Sequence, residues 1–142
     1  MAKISIVYWS GTGNTEAMAN LIAEGAKAAG ADVTVKSVSD ASPADVLEAD
    51  VALLGCAAMG DEVLEEGEFE PFVEGLEGSV SGKKLGLFGS YGWGDGEWMR
   101  QWYARMQGAG ASLLDEGLIV NEAPDAEGEA ACRAFGEKAA AF

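Results

Sequence analysis

The chain contains no histidine. That absence excludes Ser-His-Asp and Cys-His catalysis, His-ligated zinc and the commonest general base near neutral pH. Cationic side chains are scarce: 9 Lys and Arg stand against 24 Asp and Glu, a net charge of −15 over 142 residues. Gripping a polyphosphate backbone through basic contacts is excluded on that balance, so no nucleic-acid partner is expected. The two cysteines, Cys56 and Cys132, lie far apart without C-x-x-C spacing. They are expected to be buried thiols in a reducing compartment, although Cys56 falls beside a loop where its oxidation would matter. No apolar stretch approaches the ~20 residues that span a bilayer. The opening Met1-Ala2-Lys3 and its short apolar run make no secretion signal. No membrane association is expected, and a cytoplasmic location is. Chemistry must therefore come from carboxylates, hydroxyls, the backbone or a bound cofactor.

What is present suits one domain over residues 1–142, with 49% hydrophobic residues to build a core. Apolar runs at Lys3–Tyr8, Asp32–Val38, Val51–Gly55, Leu85–Gly89 and Leu118–Val120 read as strands. The first, third and fourth are nearly continuous in apolar residues, as parallel strands covered on both faces are. Segments of helical period lie between them: Thr15–Ala29, Ser42–Leu47, Phe69–Leu76, Gly96–Gln107 and Asp125–Ala141. Asp115-Glu116-Gly117 is expected to break a longer last strand, Ala111–Val120, into two pieces. The alternation predicts a doubly wound three-layer α/β sandwich around a five-stranded parallel sheet of order 2-1-3-4-5, with a ligand crevice at the ends of strands one and three.

Three loops leave the same edge of that sheet. The first, Trp9-Ser10-Gly11-Thr12-Gly13-Asn14-Thr15, opens a helix and carries hydroxyl and amide groups between glycines. Free N–H groups and the positive end of the helix dipole make such a start a phosphate cradle, or else an ordinary helix start capped by Asn14 or Thr15. No Lys or Arg lies between Lys3 and Lys27, so a phosphate here is held by neutral donors. The Gly-Lys-Ser/Thr end of a Walker loop is missing, and Glu16 stands where a dinucleotide fingerprint needs its third glycine. The second loop, Cys56-Ala57-Ala58-Met59-Gly60-Asp61-Glu62, joins small residues to one flexible apolar residue and a hinge glycine. The acids that follow, Glu65, Glu66, Glu68, Glu70, Glu74 and Glu77, read as a solvated face, whereas Asp61 and Glu62 belong to the loop, which brings Glu62 to the crevice. In the third, Ser90-Tyr91-Gly92-Trp93-Gly94-Asp95-Gly96, glycines around Trp93 leave its ring as a stacking platform, or let it fold inward onto Trp98 and Trp102. Trp98 and Trp102 themselves recur at helical period and are expected in the core. Together the loops describe a site for a mononucleotide bearing a flat aromatic ring.

Ser10–Thr15, Met59-Gly60-Asp61-Glu62 and Ser90–Gly96 resemble the three flavin-mononucleotide loops of short-chain, clostridial-type flavodoxins, and the similarity runs along essentially the whole chain. The resemblance implies a low-potential one-electron carrier that binds FMN non-covalently and passes between oxidised, neutral semiquinone and anionic hydroquinone forms, with no substrate turnover of its own. It implies that Ser10, Thr12, Asn14 and Thr15 hold the phosphate with Trp9 nearby and Gly11 and Gly13 allowing close approach. Met59 and Trp93 would sandwich the ring, Gly92 and Gly94 would meet its pyrimidine edge, and Glu62 would accept from N3–H. Gly60 would turn its peptide carbonyl toward N5–H. Ala57, Ala58, Asp61, Ser90, Tyr91, Asp95 and Gly96 complete the expected cofactor-binding set. Ala57 stands where some relatives carry a phosphate-reaching Ser, so a modest loss of affinity is expected. Expected partners are redox proteins with basic patches, such as reductases and other oxidoreductases, met by a monomer. An FMN-dependent quinone or azo-compound reductase is the alternative, for which 142 residues leave little room. A phosphorelay receiver or a tyrosine phosphatase lacks its required residues here.

Overall fold

The computed structural model describes residues 2–59, 63–92 and 94–142. Its elements are β1 (Lys3–Trp9), α1 (Asn14–Ala28), β2 (Asp32–Ser37), α2 (Pro43–Leu47), β3 (Val51–Cys56), α3 (Phe69–Leu76), β4 (Lys84–Tyr91), α4 (Glu97–Gly108), β5 (Ser112–Asn121) and α5 (Ala126–Ala140). Among the described residues the five strands form one sheet of order β2-β1-β3-β4-β5, with every neighbouring pair parallel. Ile4 pairs with Val51 and Trp9 with Cys56, while Leu53 pairs with Gly86, so β1, β3 and β4 run side by side to a common carboxyl edge.

The alternation of side chains along each strand divides the core into two layers. One layer packs Val7, Leu54, Leu85 and Leu87 against Phe69, Trp98, Trp102 and Met106 from α3 and α4. The other packs Ile4, Ile6, Leu53 and Phe88 against Met18, Ile22, Cys132 and Phe135 from α1 and α5. Trp98 and Trp102 are each 2% exposed, as their helical spacing predicts, and Phe69 meets Trp102 edge-on at 5.5 Å. α1 and α5 cross with almost no room between backbones. A Cβ on Gly136 would lie 2.0 Å from the Ile22 carbonyl oxygen, and one on Gly25 would lie 2.0 Å from that of Arg133. This crossing seats the second half of α1 against α5.

Four expectations need correction. The last strand is not split: Leu114 pairs with Gly86 and Leu118 with Phe88, so Asp115-Glu116-Gly117 forms a bulge opposite Leu87. Asp115 (φ 53°) and Gly117 (φ 100°) turn the extra residues outward, and Lys138 holds the Asp115 carboxylate at 3.1 Å. The second strand ends at Ser37, because Val38–Asp40 closes into a single 3₁₀ turn. The acid-rich stretch is not simply solvated: Glu65 accepts the N–H groups of Gly67, Glu68 and Phe69 where α3 begins. Burial opposes charge on the Glu65 carboxyl, yet those three bonds hold its pKa below the ordinary value. Arg105 forks onto Glu70 at 2.8 and 2.6 Å and also bonds Glu77, tying α4 to α3. Finally, Cys56 belongs to β3 rather than to the loop. Its thiol is fully buried, and burial pushes its pKa up to about 12, which removes the thiolate that oxidation requires.

Candidate functional site

The exit of β1 shows how an uncharged cradle is built. Gly13 precedes α1 with φ 96°, a left-handed conformation open to glycine at little cost, and nothing lies within 4 Å of the position its Cβ would take. Neither Asn14 nor Thr15 caps the helix. Instead the Ser10 hydroxyl oxygen accepts from the N–H groups of Gly13 (3.1 Å) and Glu16 (3.2 Å). Among the described residues, the N–H groups of Thr12, Asn14 and Thr15 have no hydrogen-bond partner. These orphaned donors lie at the positive end of a 15-residue helix. The one acid of the first turn, Glu16, is drawn aside by the Tyr8 hydroxyl, which donates to it at 2.7 Å. That bond, with partial burial, pushes the Tyr8 pKa up to about 12.

The three loops do converge. Trp9, Gly11, Thr12 and Asn14 from the first, Ala57, Ala58 and Met59 from the second, and Ser90, Tyr91 and Gly92 from the third line one open cleft of ≈ 300 Å³. Thr15, 1% exposed, lies behind the first wall, and its hydroxyl oxygen accepts from the Ser90 N–H at 3.3 Å. Met59 and Val63 pair with each other through two backbone bonds of 2.9 and 3.0 Å, so the second loop leaves and returns at one point. Gly60, Asp61 and Glu62, which sequence reasoning assigned to the tip of that loop, lie outside the described residues, as does Trp93. Asp95 and Gly96 sit at the start of α4 rather than on the cleft wall. Arg100 donates to the exposed Asp95 carboxylate at 3.0 Å and to the Asp95 carbonyl at 3.1 Å, and Gly96 precedes the helix with φ 92°.

Sequence reasoning missed two contributors. Glu122, at the exit of β5, lines the cleft in a left-handed conformation, φ 57°. The strand order already placed the end of β5 beside that of β4 on the same edge, a signal that could have found it. Trp98 was expected only to fill the core, but its indole N–H also donates to the Cys56 carbonyl at 3.3 Å and anchors the root of the second loop. Its ring also lies 5.7 Å from that of Tyr91, beneath the third loop.

A doubly wound sheet with an uncharged loop of uncommitted N–H groups at its switch point is the architecture of mononucleotide-binding proteins of the α/β class. Comparison with known proteins makes this specific. The family model described as flavodoxin matches residues 6–136. The flavodoxin of Clostridium beijerinckii is 56% identical over 137 residues, covering 96% of this chain and 99% of that one. That of Megasphaera elsdenii is 54% identical over 137 residues, covering 96% and 98%. The solution structure of two-electron reduced Megasphaera elsdenii flavodoxin superposes with a TM-score of 0.89 over 98% of this chain and 99% of that one. The chain belongs to the flavodoxin family, whose members carry single electrons on bound FMN and turn over no substrate of their own. The NAD(P)H dehydrogenase (quinone) of Rhizobium johnstonii is 41% identical over 75 residues, only 53% of this chain and 38% of its own length, a weak and partial likeness beside that to the flavodoxins.

Proposed function

We propose that this flavodoxin holds FMN across the cleft, with its phosphate in the Ser10–Thr15 cradle and its ring between the second and third loops. The observation that carries the assignment is the set of uncommitted N–H groups on Thr12, Asn14 and Thr15 at the start of α1, beside a cleft whose lining carries no cationic side chain. Ser10 and Thr15 strengthen it. Each hydroxyl oxygen already accepts from backbone N–H groups, which leaves its own proton to donate to a phosphate oxygen. When bound, FMN supplies two successive one-electron transfers. Met59 and Tyr91 wall the ring side and exclude water, and Gly92 leaves open space beside it. By family resemblance, Trp93 covers the outer ring face, Glu62 accepts from N3–H, and Gly60 offers its peptide carbonyl to N5–H.

An uncharged cradle leaves the phosphate's charge uncompensated, and the surrounding chain carries −15. Both oppose a further negative charge on the ring, the physical basis of a strong one-electron donor. The same acidic surface steers encounters with redox proteins bearing basic patches, giving fast, weak and salt-sensitive complexes. We place the protein in the cytoplasm as a monomer; among the described residues no helix is long and apolar enough to cross a membrane. Titrating the apoprotein with FMN and with riboflavin tests the cradle. FMN is expected to bind at least about tenfold more tightly, with inorganic phosphate competing for the site. Equal affinity for the two flavins would refute it.

A further inference from the structure

Ser90 stands where four chain segments meet. It is 3% exposed near the end of β4, and each of its polar groups serves a different wall of the cleft. Its N–H donates to the Thr15 hydroxyl at the start of α1 (3.3 Å), and its carbonyl accepts from the Ala58 N–H beyond β3 (3.0 Å). Its hydroxyl donates to the Glu122 carbonyl at the exit of β5 (2.7 Å).

Glu122 is the residue that needs holding. A left-handed backbone at φ 57° is disfavoured for any residue with a Cβ and persists where the surroundings over-determine it. The surroundings do so from both sides. The Glu122 N–H donates to the Tyr91 carbonyl at 2.7 Å, while its own carbonyl receives the Ser90 hydroxyl. The Asn121 side-chain amide reinforces the first grip by donating to the same Tyr91 carbonyl at 3.2 Å. Released from these bonds, Glu122 would relax toward an ordinary conformation and carry the β5 exit out of the cleft wall.

We propose that Ser90 is a positioning residue of this site: its hydroxyl latches Glu122 in the turn that makes the β5 exit a wall of the cleft, in register with the phosphate cradle and the β3 loop. The inference rests on the FMN reading but gives Ser90 a role other than cofactor contact, since its N–H, carbonyl and hydroxyl proton are all committed to protein partners. A double-mutant cycle of Ser90→Ala and Glu122→Gly tests it. Ser90→Ala is expected to weaken FMN binding about fivefold, the worth of one net hydrogen bond. It should leave inorganic phosphate binding to the apoprotein unchanged, read by NMR at the Thr12, Asn14 and Thr15 amides, because the Ser90 N–H to Thr15 survives. Glycine accepts the left-handed turn unaided, so adding Ser90→Ala to Glu122→Gly should cost less than about twofold more.

Additive losses would overturn the latch, as would phosphate binding that weakens in step with FMN, which is the mark of general loosening. If Ser90→Ala does not fold, Ser90→Cys, similar in size but a weaker donor, replaces it in the cycle. Amide hydrogen exchange of the apoprotein separates the two readings. Ser90→Ala is expected to speed exchange at Glu122 about fivefold, and unchanged exchange there overturns the latch even where FMN binds. A parent protein that refuses FMN overturns the cofactor reading instead.

Discussion

Thr15→Val is the most informative single change at the cradle. Valine matches threonine in shape, so at a site 1% exposed it alters hydrogen bonding and little else. In the folded protein the Ser90 N–H donates to the Thr15 hydroxyl oxygen, a bond buried between α1 and β4. Its loss leaves that N–H without an acceptor, at a cost of about 1–3 kcal/mol. Urea unfolding of the apoprotein should register that loss as a lower midpoint with an unchanged slope. On the proposed assignment the same substitution deletes a hydroxyl proton that would donate to phosphate, and a hydrogen bond to a charged acceptor is worth about 1.5–3 kcal/mol. Fluorescence titration should therefore show FMN affinity falling by roughly tenfold to a hundredfold at 1.4 kcal/mol per decade. Riboflavin, which has no phosphate, should lose far less. Equal losses for the two flavins would refute the assignment of Thr15 to the phosphate, and an unchanged urea midpoint would refute the reading of its bond to Ser90.

Acid should expose the Arg105 network. Hydrogen bonds from Arg105 hold the Glu70 carboxyl below its ordinary pKa, so the stability this provides is complete above the ordinary carboxylate range and lost as pH falls through the depressed value. Urea midpoints measured from pH 7 to 3 should fall more steeply in the parent than in Arg105→Gln, which starts less stable; matching slopes would contradict the linkage. Cys56, with a thiol pKa of about 12, should resist aromatic disulfide reagents in the native protein and react only at the rate of unfolding, whereas rapid native labelling would place it nearer solvent than the structure does.

Most of the fold was legible because each strand is marked by its own apolar run and each helix by its own period. The bounds of Phe69–Leu76 agree to the residue, and the alternation of five strands with helices suits the doubly wound order 2-1-3-4-5 that the sheet has. What escaped depends on contacts distant in sequence. Asp115-Glu116-Gly117 has the composition of a turn, yet the ladder to β4 resumes at Leu118 because two left-handed residues fold the surplus outward. Glu65 and Glu70 look like neighbours in an acidic run, but one caps α3 and the other meets Arg105, 35 positions away. At the site, the glycine and hydroxyl composition of the first loop pointed to the cradle. The capping role of Ser10 could not be read from it, since that depends on the loop folding back over the start of α1. Glu122 was missed for a similar reason: its backbone is held by β4, and its own neighbours carry no motif.

The most direct test of a redox ring held by neutral donors within an acidic shell is stepwise reduction of FMN-loaded protein with its visible spectrum recorded throughout. The expected result is a long-wavelength band of the one-electron form that rises nearly to completion before the flavin bleaches. Bleaching in a single phase with no such band would contradict it.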